Sequence, residues 1–428
     1  MSDTHSDSAA SHHVWPRRRA VVLLAMLACV IAYTDRVSIS VAAVAMKEHF
    51  GWSQTQKGFV LSAFFVGYLL FMYIAGILST RYGGKRVLGY SVLAWSIFTL
   101  VTPFAANTSL ALLIAARVGM GIGEAGMFPA AYELFGRWVP PSERARAIAR
   151  LLSGVPVGTV LGLLGSAWLV ARYGWPAAFY AFGSFGLLWT WYWFREVEND
   201  PAADTRLEVG ERALLVSLRR ETQPSGNVSR AWMLRASVIA IVIGQFAGMW
   251  DLYVLLSWLP SYFHDVQRLS IANAGLFSAA PWLAMFVTMN AAASLSDVMI
   301  ARGVRTTIVR RWMQCSGLVL CAAFLLLTRL SHSPASALVL LCAATAALGF
   351  TWCGYSPGIL DVAPRRSALL VGLSNSIGTI PGIVGVAVTG WLVDVTGTYA
   401  AAFALAAALS LLGAIVFGVF FDARPVVD

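Results

Sequence analysis

With 428 residues, 58% of them hydrophobic and only 12% charged, the chain cannot be a string of soluble domains, whose charged share is about twice as large. Its apolar runs are continuous and about 20 residues long, the length a helix needs to cross a bilayer. In lipid the backbone must satisfy its own hydrogen bonds, so unbroken runs of this kind are helices. The net charge of +10 is spread over short segments between those runs, and that distribution excludes nucleic acid as the partner.

In chain order, helices are predicted over 20–44, 58–79, 87–105, 109–135, 147–171 and 176–195. A polar stretch rich in Asp, Glu, Arg, Ser and Pro follows over 197–232. Six more helices are predicted over 235–259, 271–294, 309–328, 335–357, 367–391 and 398–421. The expected organisation is a disordered cytoplasmic N-terminus (1–19), a six-helix bundle (20–196), a cytoplasmic linker (197–234), a second six-helix bundle (235–421) and a short tail (422–428). No cleavable signal segment is expected, because the first apolar run is too long and leads into further crossings. With both termini cytoplasmic, 24 of the 31 Lys+Arg fall on inside segments, among them Arg17, Arg18, Arg19, Arg81, Lys85, Arg86, Arg310 and Arg311. Outside segments hold Lys47, Lys57, Arg172, Arg268 and Arg329. This is the positive-inside bias, and it places the chain as a multi-pass protein of the cytoplasmic (inner) membrane.

The two halves repeat. At an offset of 223 residues Gly126 meets Gly349, Pro141 meets Pro364, Ala145 meets Ala368, Gly162 meets Gly385 and Gly174 meets Gly397. Two such halves put a substrate site between them near the midplane, which is the architecture of a transporter. The fold class expected is therefore an all-α membrane protein of twelve helices in two pseudo-symmetric six-helix bundles.

Four ionisable residues lie deep inside predicted helices: Asp35, Arg36, Arg117 and Glu124. Each costs roughly 2.5–3.5 kcal/mol or more at the bilayer centre, so each is a functional residue by default. Arg117 and Glu124 are two helical turns apart and share a face, about 10 Å apart along the axis. Asp35 and Arg36 point about 100° apart, so their partners are expected on the fourth helix or in the substrate. Arginine forks suit a carboxylate or phosphate, which makes Arg36 and Arg117 the candidate anion binders. Asp35 and Glu124 are the candidate proton carriers: burial favours the neutral carboxyl, and an anion that occupies the arginine removes the counter-charge. The competing reading is two internal salt bridges that hold helices together. Tyr33, Tyr68, Tyr253, Ser374, Asn375 and Ser376 are polar residues that either contact substrate or join helices. Asp251 is placed near the wet outer end of the seventh helix, as site or as structure. The sixteen tryptophans are expected mostly as interfacial anchors, with Trp352 or Trp282 available to an apolar part of the ligand. Cys29, Cys315, Cys321, Cys342 and Cys353 lack ligand-like spacing and read as small core residues. No metal, cofactor or catalytic residue is expected.

The stretch Gly76-Ile77-Leu78-Ser79-Thr80-Arg81-Tyr82-Gly83-Gly84-Lys85-Arg86 resembles the cytoplasmic loop signature of the major facilitator superfamily, with Thr80 where that family has aspartate. The second half keeps the acid, in Leu295-Ser296-Asp297. The resemblance implies a cytoplasmic gate that involves Arg81, Arg86 and Asp297. Within that superfamily the chain is similar to the anion:cation symporters, through Tyr33-Thr34-Asp35-Arg36 and the run from Arg117 to Pro129. Arg137-Trp138-Val139-Pro140-Pro141, Trp258-Leu259-Pro260 and Ala280-Pro281-Trp282 add to it. That likeness implies proton-coupled symport of a small organic anion, with Asn375 at a substrate position. Val155 stands where sugar-acid carriers place glutamine. A sodium- or proton-coupled phosphate carrier is the alternative, since the plastid phosphate carriers share the Trp258-Leu259-Pro260 and Ala280-Pro281-Trp282 stretches. A proton-driven drug antiporter of this fold would show Gly-Pro followed by paired glycines in the fifth helix, where the chain reads Gly154-Val155-Pro156-Val157-Gly158. Nothing points to an enzyme: no metal-spaced cluster, nucleophile elbow or phosphate loop is present. The partners expected are an organic anion, protons and the bilayer, for a monomer.

Overall fold

The structure is a computed structural model that describes residues 16–208, 210–212, 215 and 230–426; the disorder expected for the first residues and the middle of the linker lie outside the described residues. The first bundle comprises α1 (Arg17–Phe50), α2 (Gln54–Tyr82), α3 (Gly84–Thr108), α4 (Leu110–Glu124), α5 (Met127–Trp138), α6 (Pro141–Tyr173) and α7 (Pro176–Glu196). The second comprises α8 (Ala236–Asp265), α9 (Ile271–Ala301), α10 (Thr306–Leu327), α11 (Pro334–Thr351), α12 (Tyr355–Val362), α13 (Ser367–Thr396) and α14 (Ala400–Phe420).

Among the described residues eleven stretches are long and apolar enough to cross a membrane, with α4 and α5 counted as one span and α11 and α12 as another. The twelfth crossing is α7, whose Trp189, Trp191, Tyr192 and Trp193 dilute its hydropathy, the exposed Trp191 and Tyr192 being at home near the interface. The single helices expected over 109–135 and 335–357 are each broken, after Glu124 and over Trp352–Gly354. Glycine has low helix propensity, and Gly126 and Gly354 stand at these two breaks, where the ladder is easiest to interrupt.

Apolar content marks the bilayer, whereas hydrogen bonds mark the helix. Hence α1 runs past its predicted end at 44 to Phe50, where Gly51 (φ 67°) closes it in the left-handed conformation with its N–H on Lys47 O. Ser53 and Gln56 then form a capping box that starts α2 at Gln54, four residues before the predicted start, which brings Lys57 inside the helix.

The pairing of helices repeats between the halves. Crossing one packs on five, two on four, three on four and three on six; likewise seven on eleven, eight on ten, nine on ten and nine on twelve. Between the bundles α2 lies against α13 and α6 against α9, a pair of contacts that the same pseudo-symmetry interchanges. The duplicated landmarks in the sequence thus correspond to a duplicated packing scheme.

Several tryptophans depart from the interfacial role. Trp95, Trp138, Trp193 and Trp258 are fully buried. The indoles of the last three serve as internal ties, Trp193 Nε1 to Lys85 O (2.9 Å), Trp138 Nε1 to Glu198 O (2.9 Å) and Trp258 Nε1 to Val386 O (3.1 Å). A buried indole N–H is best satisfied by a partner, and a carbonyl with a spare lone pair supplies one.

At the end where α1 begins, charged side chains tie the described part of the linker to the first bundle. Arg17 reaches Asp204 (3.4 Å) and Glu196 (3.6 Å), and Arg18 reaches Glu143 (3.0 Å) and Glu211 (2.9 Å). Glu211 also accepts from the Arg17 and Arg18 N–H groups, which caps the positive end of α1. The Arg18 guanidinium holds the Glu143 carboxyl below the usual carboxylate range.

Candidate functional site

Halfway along the seam between the bundles, α1 and α4 bring their ionisable residues together. Asp35, Arg36, Arg117 and Glu124 are all buried, exposing between 0% and 7% of their surface. Arg36 Nη2 forms an ion pair with Glu124 Oε1, so α1 and α4 meet through opposite charges. Asp35 turns the other way, as its place beside Arg36 on the helix requires, and lies against Trp95 of α3. Among the described residues neither Asp35 oxygen has a hydrogen-bond partner, and the same is true of Glu124 Oε2, Arg36 Nε and Arg117 Nε.

The Arg36 guanidinium sits in an aromatic cage. Its Cζ is 4.6 Å from the Tyr33 ring centre, 4.8 Å from Phe64 and 5.2 Å from Tyr68. Arg117 Cζ is 5.6 Å from the same Phe64 ring, and its Nη1 lies 2.9 Å from Met120 Sδ. Aromatic faces attract a cation but give no second hydrogen-bond acceptor, so donor capacity remains on both arginines. A narrow cavity opens on them, lined by Arg36, Ser40, Phe64, Arg117, Leu256 and Ser257. The last two belong to α8, so both bundles contribute. Tyr253 of α8 also reaches across, its ring 4.6 Å from that of Phe65.

Two close crossings hold this geometry. A Cβ on Gly121 would stand 2.8 Å from Tyr68 N and nearer still to Phe64 O, while one on Gly67 would stand 2.8 Å from the Val118 carbonyl carbon. The α2 and α4 backbones therefore touch, which delivers Phe64 and Tyr68 to Arg36.

Other predicted residues lie elsewhere. Ser374 is buried and turns its hydroxyl to Val371 O in its own helix (3.3 Å). Asn375 accepts from Gln245 Nε2 of α8 (2.8 Å), within the second bundle. Gln245 escaped the sequence reading, although an amide among Ile, Gly and Phe carries the same signal as the serines and asparagine that were weighed. Trp352 lies at the break between α11 and α12, its ring 5.8 Å from that of Tyr355. Asp297 is exposed, and the ion pair near it joins Arg310 to Asp361 (2.9 Å), with Ser296 bound to the same guanidinium (2.9 Å). Arg81 and Arg86 are exposed, with the Arg81 guanidinium 5.4 Å from the Tyr82 ring. Glu133 of α5 takes the Gly84 N–H (2.5 Å), so the start of α3 is capped from another helix where Thr80 replaces an acid.

Asp251 is not wet. It is fully buried inside the second bundle, accepting from Ser410 Oγ (2.5 Å) and lying 3.5 Å from Cys321 Sγ. That environment is apart from the cavity and suits a structural carboxyl. Asp251→Asn should therefore keep at least about half of wild-type uptake, because the amide oxygen still accepts from Ser410. Asp251→Leu should lose about 1–3 kcal/mol of stability, as expected when a buried hydroxyl is stranded; thermal melting and uptake assays measured side by side check both.

The comparisons with known proteins bear on this geometry. The sequence model of the Major Facilitator Superfamily matches residues 25–386. The chain belongs to the Major Facilitator Superfamily. It is a secondary transporter and not an enzyme. It is 36% identical over 417 residues to the "Probable anion transporter 4, chloroplastic" of Oryza sativa subsp. japonica, covering 97% of this chain and 70% of the relative. It is 35% identical to two proteins of Arabidopsis thaliana. One is the "Sodium-dependent phosphate transport protein 1, chloroplastic" (100% and 84% covered), the other the "Ascorbate transporter, chloroplastic" (97% and 76%). These relatives agree with the resemblance to anion:cation symporters. Among solved structures, an inward-facing, unoccupied bacterial homolog of the human lysosomal transporter Spinster superposes with a TM-score of 0.73 at 20% identity, covering 95% of each chain. The xylose transporter XylE from E. coli gives 0.75 at 12% identity, over 95% and 96%. The superfamily fold, a multi-pass membrane protein of two bundles, is thereby established.

Proposed function

We propose that this transporter carries a small organic anion together with a proton across the cytoplasmic membrane, both termini lying in the cytoplasm. The observation that carries this reading is the Arg36–Glu124 ion pair, set beside Arg117 on one cavity between the bundles. A carboxylate that enters the cavity competes with Glu124 for the Arg36 fork. Glu124, stripped of its counter-charge in a dry setting, is neutralised by a proton. Substrate and proton therefore load together, and the bundles rock around them to change the exposed face. Asp35, held against Trp95, is the second carboxylate of the same core and a further proton carrier. The names of the relatives support an anionic cargo, and the positive-inside bias supports the orientation.

The decisive experiment uses purified protein in liposomes, labelled ascorbate, sugar acids, simple carboxylates and inorganic phosphate, and an inward proton gradient. Glu124→Gln should retain exchange of the transported anion, at a rate within about tenfold of wild type, and lose its accumulation. Gradient-driven accumulation by Glu124→Gln would remove that residue from proton coupling. A second reading, sodium-driven phosphate transport, is favoured by the phosphate transport protein that is 35% identical. It holds if phosphate alone moves, and only with sodium.

A further inference from the structure

The seam between the bundles is tied shut at the end where α1 finishes, the outer end in the proposed orientation. Asp394 of α13 accepts from Gln54 N (2.9 Å), Thr55 N (2.7 Å) and Thr55 Oγ1 (2.6 Å) at the start of α2. Asp265 of α8 accepts from Gln54 Nε2 and Tyr399 OH, each at 3.0 Å. His264 Nε2 lies 3.1 Å from Glu48 Oε1. Directly beneath these bridges is Lys57, with 0% of its surface exposed.

Lys57 is unusual because its charge is unspent. Among the described residues its Nζ has no hydrogen-bond partner, and the group faces the Trp258 ring of the other bundle at 5.0 Å. The charges that bear on it are the carboxylates of Asp265, Glu48 and Asp394 and the ammonium of Lys47. A structural lysine at a fixed interface would be hydrogen-bonded, since burying an unpaired cation is costly. Its placement along α2 gives a second clue. Positions 57, 61 and 64 share one helix face, and Leu61 and Phe64 line the cavity of Arg36 and Arg117. Lys57 therefore stands about 10 Å above Phe64 on the line from the outer surface to the two arginines.

We infer that Lys57 is a relay site for the carboxylate or phosphate group of the cargo, exposed when the outer seam opens. The inference rests on the anion reading proposed above. With the seam closed, the ammonium is stored against Trp258, near Asp265 and Asp394 of the opposite bundle. When the bundles part, Asp265 and Asp394 leave with the second bundle, while Lys57 stays with α2, and Glu48 with α1, beside the widening path. An anion from outside then meets Lys57 before it reaches Arg36 and Arg117, and the cation lowers the cost of that passage. From the inner face the path does not cross Lys57.

The test is sided kinetics in liposomes of known protein orientation, with labelled ascorbate and inorganic phosphate as probes. Lys57→Gln should raise the KM for the transported probe about tenfold at the outer face and leave the inner-face KM within about twofold; Lys57→Arg should restore the outer value. A residue that merely braces the closed seam gives the opposite sign, because loosening the outer gate lowers the outer KM. That result, an unchanged outer KM, or equal increases at both faces overturns the relay. If the wild-type protein transports neither probe nor any other anion tested, the anion reading falls and the relay falls with it.

Discussion

Arg36→Ala should reduce anion uptake by about 100-fold or more, and the deficit should persist when Glu124→Gln is added. Arg36 is the hydrogen-bond partner of Glu124 Oε1, and among the described residues its Nε is unpaired where it faces the cavity. Losing a charge-assisted pair of hydrogen bonds to a carboxylate costs about 3 kcal/mol, which corresponds to the 100-fold stated. Stability behaves differently from uptake. Removing one member of a buried pair costs about 3–5 kcal/mol, less whatever Glu124 recovers by taking up a proton. Adding Glu124→Gln removes the stranded charge, so the double variant should melt closer to wild type than Arg36→Ala alone. Uptake that returns with stability would make Arg36 a structural counter-ion and nothing more. Melting curves and initial uptake rates for wild type, both single variants and the double variant separate the two outcomes.

Gly121→Ala should destabilise the protein by about 3 kcal/mol or more, the upper end for overpacking, because the added methyl group meets backbone. Phe64 O and Tyr68 N cannot rotate away as a side chain can. The strain must push α2 off α4, and with α2 go two of the three rings around Arg36. Affinity for the anion should fall together with stability. Gly136→Ala is the control: nothing lies within 4 Å of that Cβ position, and alanine favours a helix by up to about 1 kcal/mol. Equal melting temperatures for Gly121→Ala and Gly136→Ala would mean that the α2–α4 crossing is not the tight contact described here.

The parts of this molecule that were legible in its sequence are those set by solvent. Apolar runs located the crossings because lipid tolerates little else, and four charges inside those runs stood out for the same reason. Even the partnering was partly visible, since the 100° step from Asp35 to Arg36 sends the two toward different helices. What depended on tertiary contact was not legible. Lys57 sits at the edge of an apolar run and reads as an ordinary outer-loop cation; only the capping box that starts α2 early, and the closure of α13 over it, bury the ammonium. Asp251 lies nearer the outer end of its helix and reads as wet, yet Ser410 and Cys321 arrive from two other helices to enclose it. The breaks beside Gly126 and Gly354 were equally hidden, because composition alone does not distinguish a kinked span from a straight one.

Asp35, Glu124, Arg36 and Arg117 sum to zero when all four are ionised. Membrane voltage acts on that balance. A monoanion that loads with one proton leaves the core neutral, so neither the loaded nor the empty carrier moves net charge, and the cycle ignores the potential. If Asp35 takes a second proton, the loaded carrier moves one positive charge, worth about 2.3 kcal/mol for each 100 mV. In the proton-coupled cycle proposed above, the titration of a single carboxylate against Trp95 would thus decide whether transport is driven by acidity alone or by the electrical half of the proton-motive force as well.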